Sequence, residues 1–381
     1  MNICIINDTD TVINYNSLEK GCGGSETWAL QLAQAFVNRG HLVIICTTTN
    51  EKSSTMLYNN KINIVPIYEI ANICNQFTFD FMIISRVLSK NIYHLLKTNY
   101  NISKYIFYQY HDLYPLESNY KETFSIVNKV VALTPFHAKH LHIMTDCDYS
   151  KFTIIPNAID LNLFTNIQEP EQRDNRILWC SNPDRGLNII LKYLYDDIKK
   201  EIPDFGIDIC YPNYSSFDDT QLISGRDIRN MGSLNKVDLY KEMVKHKCWC
   251  YPQNFIDTFC IGMLEQAMCN VNIVCPWWYA PNDIFGDLNI NNKFEEIIDN
   301  TQKYGGSFLK DNIYTSKEKF NSYLMWLKDK IIDAIKNYDS EENRNRRHNM
   351  RMRVIQGYNW NNIAQLYENL YINEKVQHGD C

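Results

Sequence analysis

Asp257 and Glu265 are separated by seven residues, Asp257 before a segment of helical period and Glu265 two turns inside it. At a rise of 1.5 Å per residue they lie about 12 Å apart along the axis if both are helical. That is too far for one carboxylate pair on a reacting bond, but it suits a grip on two ends of an elongated ligand. Between them Phe259, Cys260 and Ile261 offer backbone N–H groups at a helix N-terminus, a seat for a charged or hydroxyl-rich group. Glu265 is flanked by Met263, Leu264, Ala267 and Met268. A carboxylate among so many apolar neighbours implies a buried site with a partner.

Three further segments carry chemistry. In Ser181-Asn-Pro-Asp-Arg-Gly186, between an apolar run and a helix, Arg185 is placed to meet a diphosphate; the alternative is that Asp184 caps the helix and Arg185 pairs with an acidic neighbour. Gly21-Cys-Gly-Gly-Ser-Glu26 precedes a helix, and Gly23 and Gly24 let a backbone approach a phosphate or sugar, although the spacing matches neither the dinucleotide fingerprint nor the P-loop. His111 ends an apolar run, where a ring nitrogen can exchange a hydrogen bond with a hydroxyl. His137, His140 and His142 lack a carboxylate partner in a metal-binding spacing and read as structural. Trp277 and Trp278 either stack on a ligand or pack the core. The arginines 344, 346, 347, 351 and 353 follow Glu341 and Glu342 and read as a solvated helix face.

The elements that must position these residues follow from periodicity. Ile3–Ile6, Leu42–Cys46, Ile62–Ile67, Phe81–Ile84, Tyr105–Tyr108, Val130–Leu133 and Thr153–Ile155 are continuous apolar runs, as strands of a parallel sheet buried on both faces must be. Trp28, Leu32 and Phe36 fall on one helical face between the first two. The polar stretch 166–175 reads as a linker, after which strands restart at Ile177–Cys180, Ile207–Tyr211, Cys248–Tyr251 and Asn272–Cys275. The ending is helical, through Lys317–Tyr338 and Trp360–Tyr371. We therefore expect an α/β chain of two Rossmann-like doubly wound domains, residues 1–165 and 166–355, followed by a terminal helix over 356–381. Ligands of such sheets bind beyond the carboxyl ends of the strands, which makes a cleft between the domains the expected site.

Composition bounds the function. The 381 residues hold 38 Lys and Arg against 44 Asp and Glu, a net charge of -6, so the overall field repels nucleic acid and anionic lipid. The 13 cysteines include several inside apolar runs, and Cys248 and Cys250 lack a second pair at zinc spacing, so no structural zinc and a reduced cytoplasmic setting are expected. Met1–Asn7 is too short for a signal segment and no apolar run spans a bilayer, leaving membrane association at most peripheral.

Taken in order, Gly23-Gly-Ser-Glu26, Tyr108-Gln-Tyr-His-Asp112, Ala132-Leu-Thr-Pro-Phe-His137, Ile155-Pro-Asn-Ala-Ile-Asp160 with Phe164, Pro183-Asp-Arg-Gly186, Gly232, the Asp257 to Glu265 spacing and Tyr358-Asn-Trp360 resemble the family 4 retaining glycosyltransferases of GT-B fold, over most of the chain. The resemblance implies transfer of a sugar from a nucleotide diphosphate donor, UDP- or GDP-linked, to a hydroxyl of a glycan, lipid or protein acceptor. It implies no metal or other cofactor, and a final helix that crosses back onto the first domain. It assigns Glu265 to the ribose hydroxyls, Asp257 to donor-sugar hydroxyls, Arg185 to the diphosphate, and His111 to a place beside the sugar. The chain departs from the pattern in three places: Cys180, Ser181 and Asn182 stand where the family's first diphosphate-binding basic residue belongs, Asp257 is one methylene shorter than the family's Glu, and Ala158 replaces a Gly. A sugar-nucleotide epimerase of the same fold, or a non-catalytic protein that binds a glycan or nucleotide sugar, are the alternatives. Asp8-Thr-Asp10 and Asp146-Cys-Asp148 mimic the metal-binding acidic pair of the other large glycosyltransferase fold, but are expected to hold no catalytic metal.

Overall fold

The computed structural model describes residues 1–20, 23–51, 61–98, 103–114, 120–211, 217, 220–292, 294 and 317–379. The chain forms two compact units, Met1–Ala158 with Tyr358–Cys381, and Ile159–Gly357.

The first unit is built on β1 (Asn2–Asn7), β2 (Leu42–Thr47), β3 (Asn63–Pro66), β4 (Phe81–Ser85), β5 (Ile106–Gln109), β6 (Lys129–Ala132) and β7 (Phe152–Ile154). They lie in the order β3-β2-β1-β4-β5-β6-β7, every neighbouring pair parallel. Their unbroken apolar runs are explained by cover on both faces. Ile3 and Ile5 pack with Trp28, Leu32 and Phe36 of the helix Gly24–Asn38, while Cys4 and Ile6 join Ile44, Met82 and Ile84 on the opposite side.

The helix Trp360–Gln377 belongs to this first unit. Asn359 caps it by accepting from the Asn362 N–H, and Trp360, Ile363, Ala364, Tyr367, Leu370 and Tyr371, at helical spacing, enter the same apolar cluster as Trp28 and Phe36. Their burial stabilises the unit by on the order of 10 kcal/mol before ordering entropy is subtracted. Polar ties fix the register: Arg39 Nε donates to Glu368 Oε1 at 2.6 Å, His41 Nε2 lies 2.8 Å from the same oxygen, and the Tyr367 hydroxyl donates to Gln109 Oε1 at 2.5 Å.

The second unit holds β8 (Asp174–Trp179), β9 (Gly206–Cys210), β10 (Ile228–Gly232), β11 (His246–Cys250) and β12 (Asn272–Val274), all parallel in the order β10-β9-β8-β11-β12. In both sheets the strand order reverses beside the first strand, between β1 and β4 and between β8 and β11. Those are the switch points at which open α/β sheets bind ligands.

Several details differ from the sequence reading. β10 was not anticipated, because Ile-Arg-Asn-Met-Gly is an edge strand with no fully buried residue and so lacks an apolar run. The division falls at 158/159 and not at 165/166, since Phe164 stacks on Tyr240 with ring centres 4.2 Å apart and carries its segment into the second unit. The stretch 166–175 is no loose linker: the buried Arg173 donates to the carbonyls of His246 and Cys269 and pairs with Glu169, and Asp174 opens β8. Three arginines of the helix Glu341–Gly357, Arg347, Arg351 and Arg353, are anchors and not part of a solvated face, whereas Arg344 is exposed as expected. Arg347 is buried, donates to Asn272 and to the Tyr338 carbonyl and lies over the Tyr338 ring, while Arg351 pairs with Glu169 and Arg353 grips Asp287 with two bonds of 2.6 Å. Trp277 and Trp278 are both buried, and Trp278 stacks on Tyr323, so they pack the core. No described helix is long and apolar enough to cross a membrane.

Candidate functional site

At the switch point of the second unit, the loop after β8 and the loop after β11 are joined residue by residue. Asn182 accepts from the Asp184 N–H and so caps the turn Pro183–Arg185, the role the sequence left open for Asp184. Gly186 follows with φ +117°, and a Cβ there would stand 3.3 Å from Pro252 Cβ, so glycine is needed for both backbone and packing. Asn254 donates to the Asp184 carbonyl at 3.0 Å. Gln253 exchanges two hydrogen bonds with the backbone of Trp278, which fastens the same loop to the one after β12.

This framework holds Arg185 in place. Its Nη1 donates to Asp257 Oδ1 at 3.1 Å, and its guanidinium lies 4.4 Å from the centre of the Phe255 ring. Asp257 is buried, and its other oxygen accepts from the Tyr251 hydroxyl at 2.5 Å. Burial raises the Asp257 pKa against the pull of Arg185 and Tyr251. Burial, the largest single influence, works against the guanidinium, but Asp257, Tyr251 and Cys260 together outweigh it and keep Arg185 above its ordinary value. Arg185 thus has an acidic partner, as the alternative reading had it, yet 39% of its side chain remains exposed against 6% for Asp257. The pair is a fixed cation with one open side, carried by a carboxylate whose two oxygens are already engaged.

Glu265 sits on the helix Ile261–Met268, whose N-terminus at Cys260 has no side-chain cap, and Gly262 leaves open space where a Cβ would stand. Phe259 and Cys260 are buried beneath this end. The Glu265 carboxylate is buried, as its apolar flanks implied, and Oε1 accepts from the Tyr240 hydroxyl at 2.8 Å and from Lys236 Nζ. Among the described residues Oε2 takes no hydrogen bond, so it is the oxygen available to a ligand. Tyr240, Lys236 and Tyr251 were missed by the sequence reading. The first two lie 25 and 29 residues from Glu265, whereas Tyr251, directly after a strand, carried the positional signal of a strand-end residue.

In the first unit, the glycine loop is arranged differently from the expected cradle. A Cβ at Gly23 would collide with the Glu26 carboxylate, which is buried and accepts from the Thr9 hydroxyl at 2.8 Å. The helix N-terminus therefore already has a carboxylate of its own beside it. Gly24 faces open space; Gly21 and Cys22 lie outside the described residues. His111 meets the edge of Trp28 at 5.1 Å, and burial, helped by Arg86 and His137, lowers its pKa to about 3. It acts as a neutral ring at physiological pH. Arg86 directly follows β4 with φ +66°, and its guanidinium lies 3.2 Å from Asp112. Asp146 closes the helix Pro135–Thr145 in a left-handed conformation, and Asp148 caps the following turn, so this acidic pair has local structural work.

His137 joins the two loops that flank His111. Its Nδ1 accepts from the Leu133 N–H at 3.2 Å, which leaves the proton on Nε2 to donate to the Asp112 carbonyl at 3.0 Å. Burial lowers its pKa to about 3. The unfolded chain therefore binds more protons than the folded one between about pH 6.5 and 3, and stability falls as pH drops through that window. His137→Gln keeps an acceptor and a donor but cannot titrate. We expect a shallower loss of stability between pH 7 and 4, by about 2 kcal/mol or more, in urea unfolding at each pH; an unchanged slope would refute the buried neutral ring.

The two parallel sheets, each wound 3-2-1-4-5 about its first strand, and the last helix returned to the first unit define the GT-B architecture of glycosyltransferases. Solved structures with this fold include a glycosyltransferase from Rickettsia africae (14% identity, TM-score 0.65, 97% of each chain covered). They also include sucrose-phosphate synthase from Thermosynechococcus elongatus (13%, 0.62, 99% of each chain) and HepE from Anabaena in complex with UDP-glucose (13%, 0.59, 97% of this chain and 99% of that one). No protein-family model and no curated protein sequence matches the chain.

Proposed function

We propose that this chain is a retaining, family 4-like glycosyltransferase that moves a sugar from a UDP- or GDP-sugar to a hydroxyl of a glycan, lipid or protein acceptor. The observation that carries this reading is the second unit's switch point, where the open-sided Arg185 and the uncapped helix N-terminus accompany Glu265, a buried carboxylate with an available oxygen. Cation and N–H groups suit a diphosphate, and the carboxylate suits ribose hydroxyls. The HepE structure with UDP-glucose supports a nucleotide-sugar donor on this fold.

In the reaction, the bond from the sugar's anomeric carbon to the diphosphate oxygen breaks as the acceptor oxygen bonds to the same carbon from the same face. The acceptor proton passes to the departing phosphate oxygen. Arg185 and the helix N-terminus offset the charge that develops there, and a neutral His111 is assigned a hydrogen bond to a sugar hydroxyl. No protein nucleophile and no divalent ion are required in this scheme. The test is a calorimetric screen of UDP-, GDP- and ADP-sugars, followed by proton NMR of the product's anomeric signal with and without EDTA. An α-linked donor should give an α-linked product, and EDTA should leave the rate intact. An inverted product would reject the retaining mechanism, activity lost to EDTA and restored by manganese would reject metal independence, and absence of binding to any nucleotide sugar would reject the donor class.

A further inference from the structure

The switch point of the second unit contains a cation that neither spacing nor resemblance identifies. Lys236 is the first residue of the helix Lys236–Met243, and its ammonium reaches Glu265 Oε1, across 29 residues of sequence. Half of its side chain is exposed, although the carboxylate it meets is 6% exposed. A lysine in the first turn of a helix opposes the helix dipole, and this turn already has its own cap, Asn235 accepting from the Asp238 N–H. Locally it lies over the ring of Tyr240, one turn on, 5.9 Å from the ring centre, a weak contact at that distance.

Charge balance at the site supplies an explanation. The loop after β8 brings no basic residue between Cys180 and Asp184, and the charge of Arg185 is offset by Asp257. Lys236 and Glu265 both act electrostatically on Cys180, the first residue of that loop. The ammonium is therefore close to where the phosphates of a nucleotide held by Glu265 and Arg185 would pass. Tyr240, stacked on Phe164, donates to the same Glu265 oxygen, so a second group keeps the carboxylate in place when the half-exposed Lys236 side chain meets a ligand.

We propose that Lys236 is a second phosphate-binding cation of the nucleotide site, recruited from the helix after β10 in place of a basic residue in the loop after β8. The inference rests on the nucleotide-sugar reading above, and the experiment separates the two. UDP, GDP and their nucleosides are titrated against the wild-type chain, Lys236→Met, Lys236→Arg and Glu265→Gln by calorimetry, with weak nucleosides measured by competition. Lys236→Met should weaken the preferred nucleoside diphosphate about tenfold or more and flatten its salt dependence, while leaving the nucleoside within about twofold. Lys236→Arg should recover most of the loss, and Glu265→Gln should weaken nucleotide and nucleoside alike. Unchanged diphosphate affinity in Lys236→Met, or equal losses for nucleotide and nucleoside, would overturn the role of Lys236 while leaving the donor class intact. A wild-type chain that binds neither diphosphate would overturn both.

Discussion

Arg185→Ala should lower turnover by about 10²- to 10³-fold while changing donor affinity far less, because a preorganised cation beside a leaving group is worth most as charge develops there. The structure sharpens this expectation. Arg185 is held by Asp257, and Asp257 by Tyr251, so both carboxylate oxygens are engaged inside the protein. Asp257→Asn should therefore act through Arg185, lowering turnover about 10-fold or more, and combined with Arg185→Ala it should add little, as contacting residues of one network do. Lys at position 185 should recover only part of the loss, since it cannot both meet Asp257 and stack on Phe255 as a planar guanidinium does. Steady-state kinetics on the four variants decide the matter. Normal turnover with only a raised donor requirement would place Arg185 in uniform binding, and full additivity would free Asp257 for the separate sugar contact that the family resemblance implies.

Glu265→Gln carries the other large effect, on binding. A carboxylate that accepts two ribose hydroxyls makes charge-assisted hydrogen bonds, and their loss should weaken the free nucleoside diphosphate and the sugar nucleotide alike, by about 1 to 3 kcal/mol. The amide also leaves Lys236 and Tyr240 facing a poorer acceptor, so thermal unfolding should be followed on the same sample. A folded variant with unchanged nucleotide affinity would remove Glu265 from the site.

Most of the architecture was legible because a parallel sheet covered on both faces favours continuous apolar runs, and such runs mark eleven of the twelve strands among the described residues. The twelfth, β10, escaped because this edge strand buries no residue fully and carries Arg229 and Asn230 in its middle. The strand-end loops of the second unit were legible too, since Pro183, Gly186 and the helix after Cys260 mark where backbone N–H groups and charges gather. What sequence could not express was which side chains meet. Nothing in the local pattern says that Tyr240 and Lys236 meet Glu265, that Tyr251 meets Asp257, or that Gly23 makes room for Glu26. Arg347, Arg351 and Arg353 misled for the same reason, because their partners Asn272, Glu169 and Asp287 are supplied by other segments.

The helix Trp360–Gln377 gives the first unit a core assembled from segments that lie on either side of the second unit in sequence. During synthesis from the N-terminus, the ribosome releases residues 159–357 in full while the neighbouring core still lacks Trp360, Ile363, Tyr367 and Tyr371. The second unit can close as its own stretch emerges; the first waits for residues 360–377. A premature stop soon after Gly357 would accordingly fall hardest on the unit whose strands are encoded before those of the second.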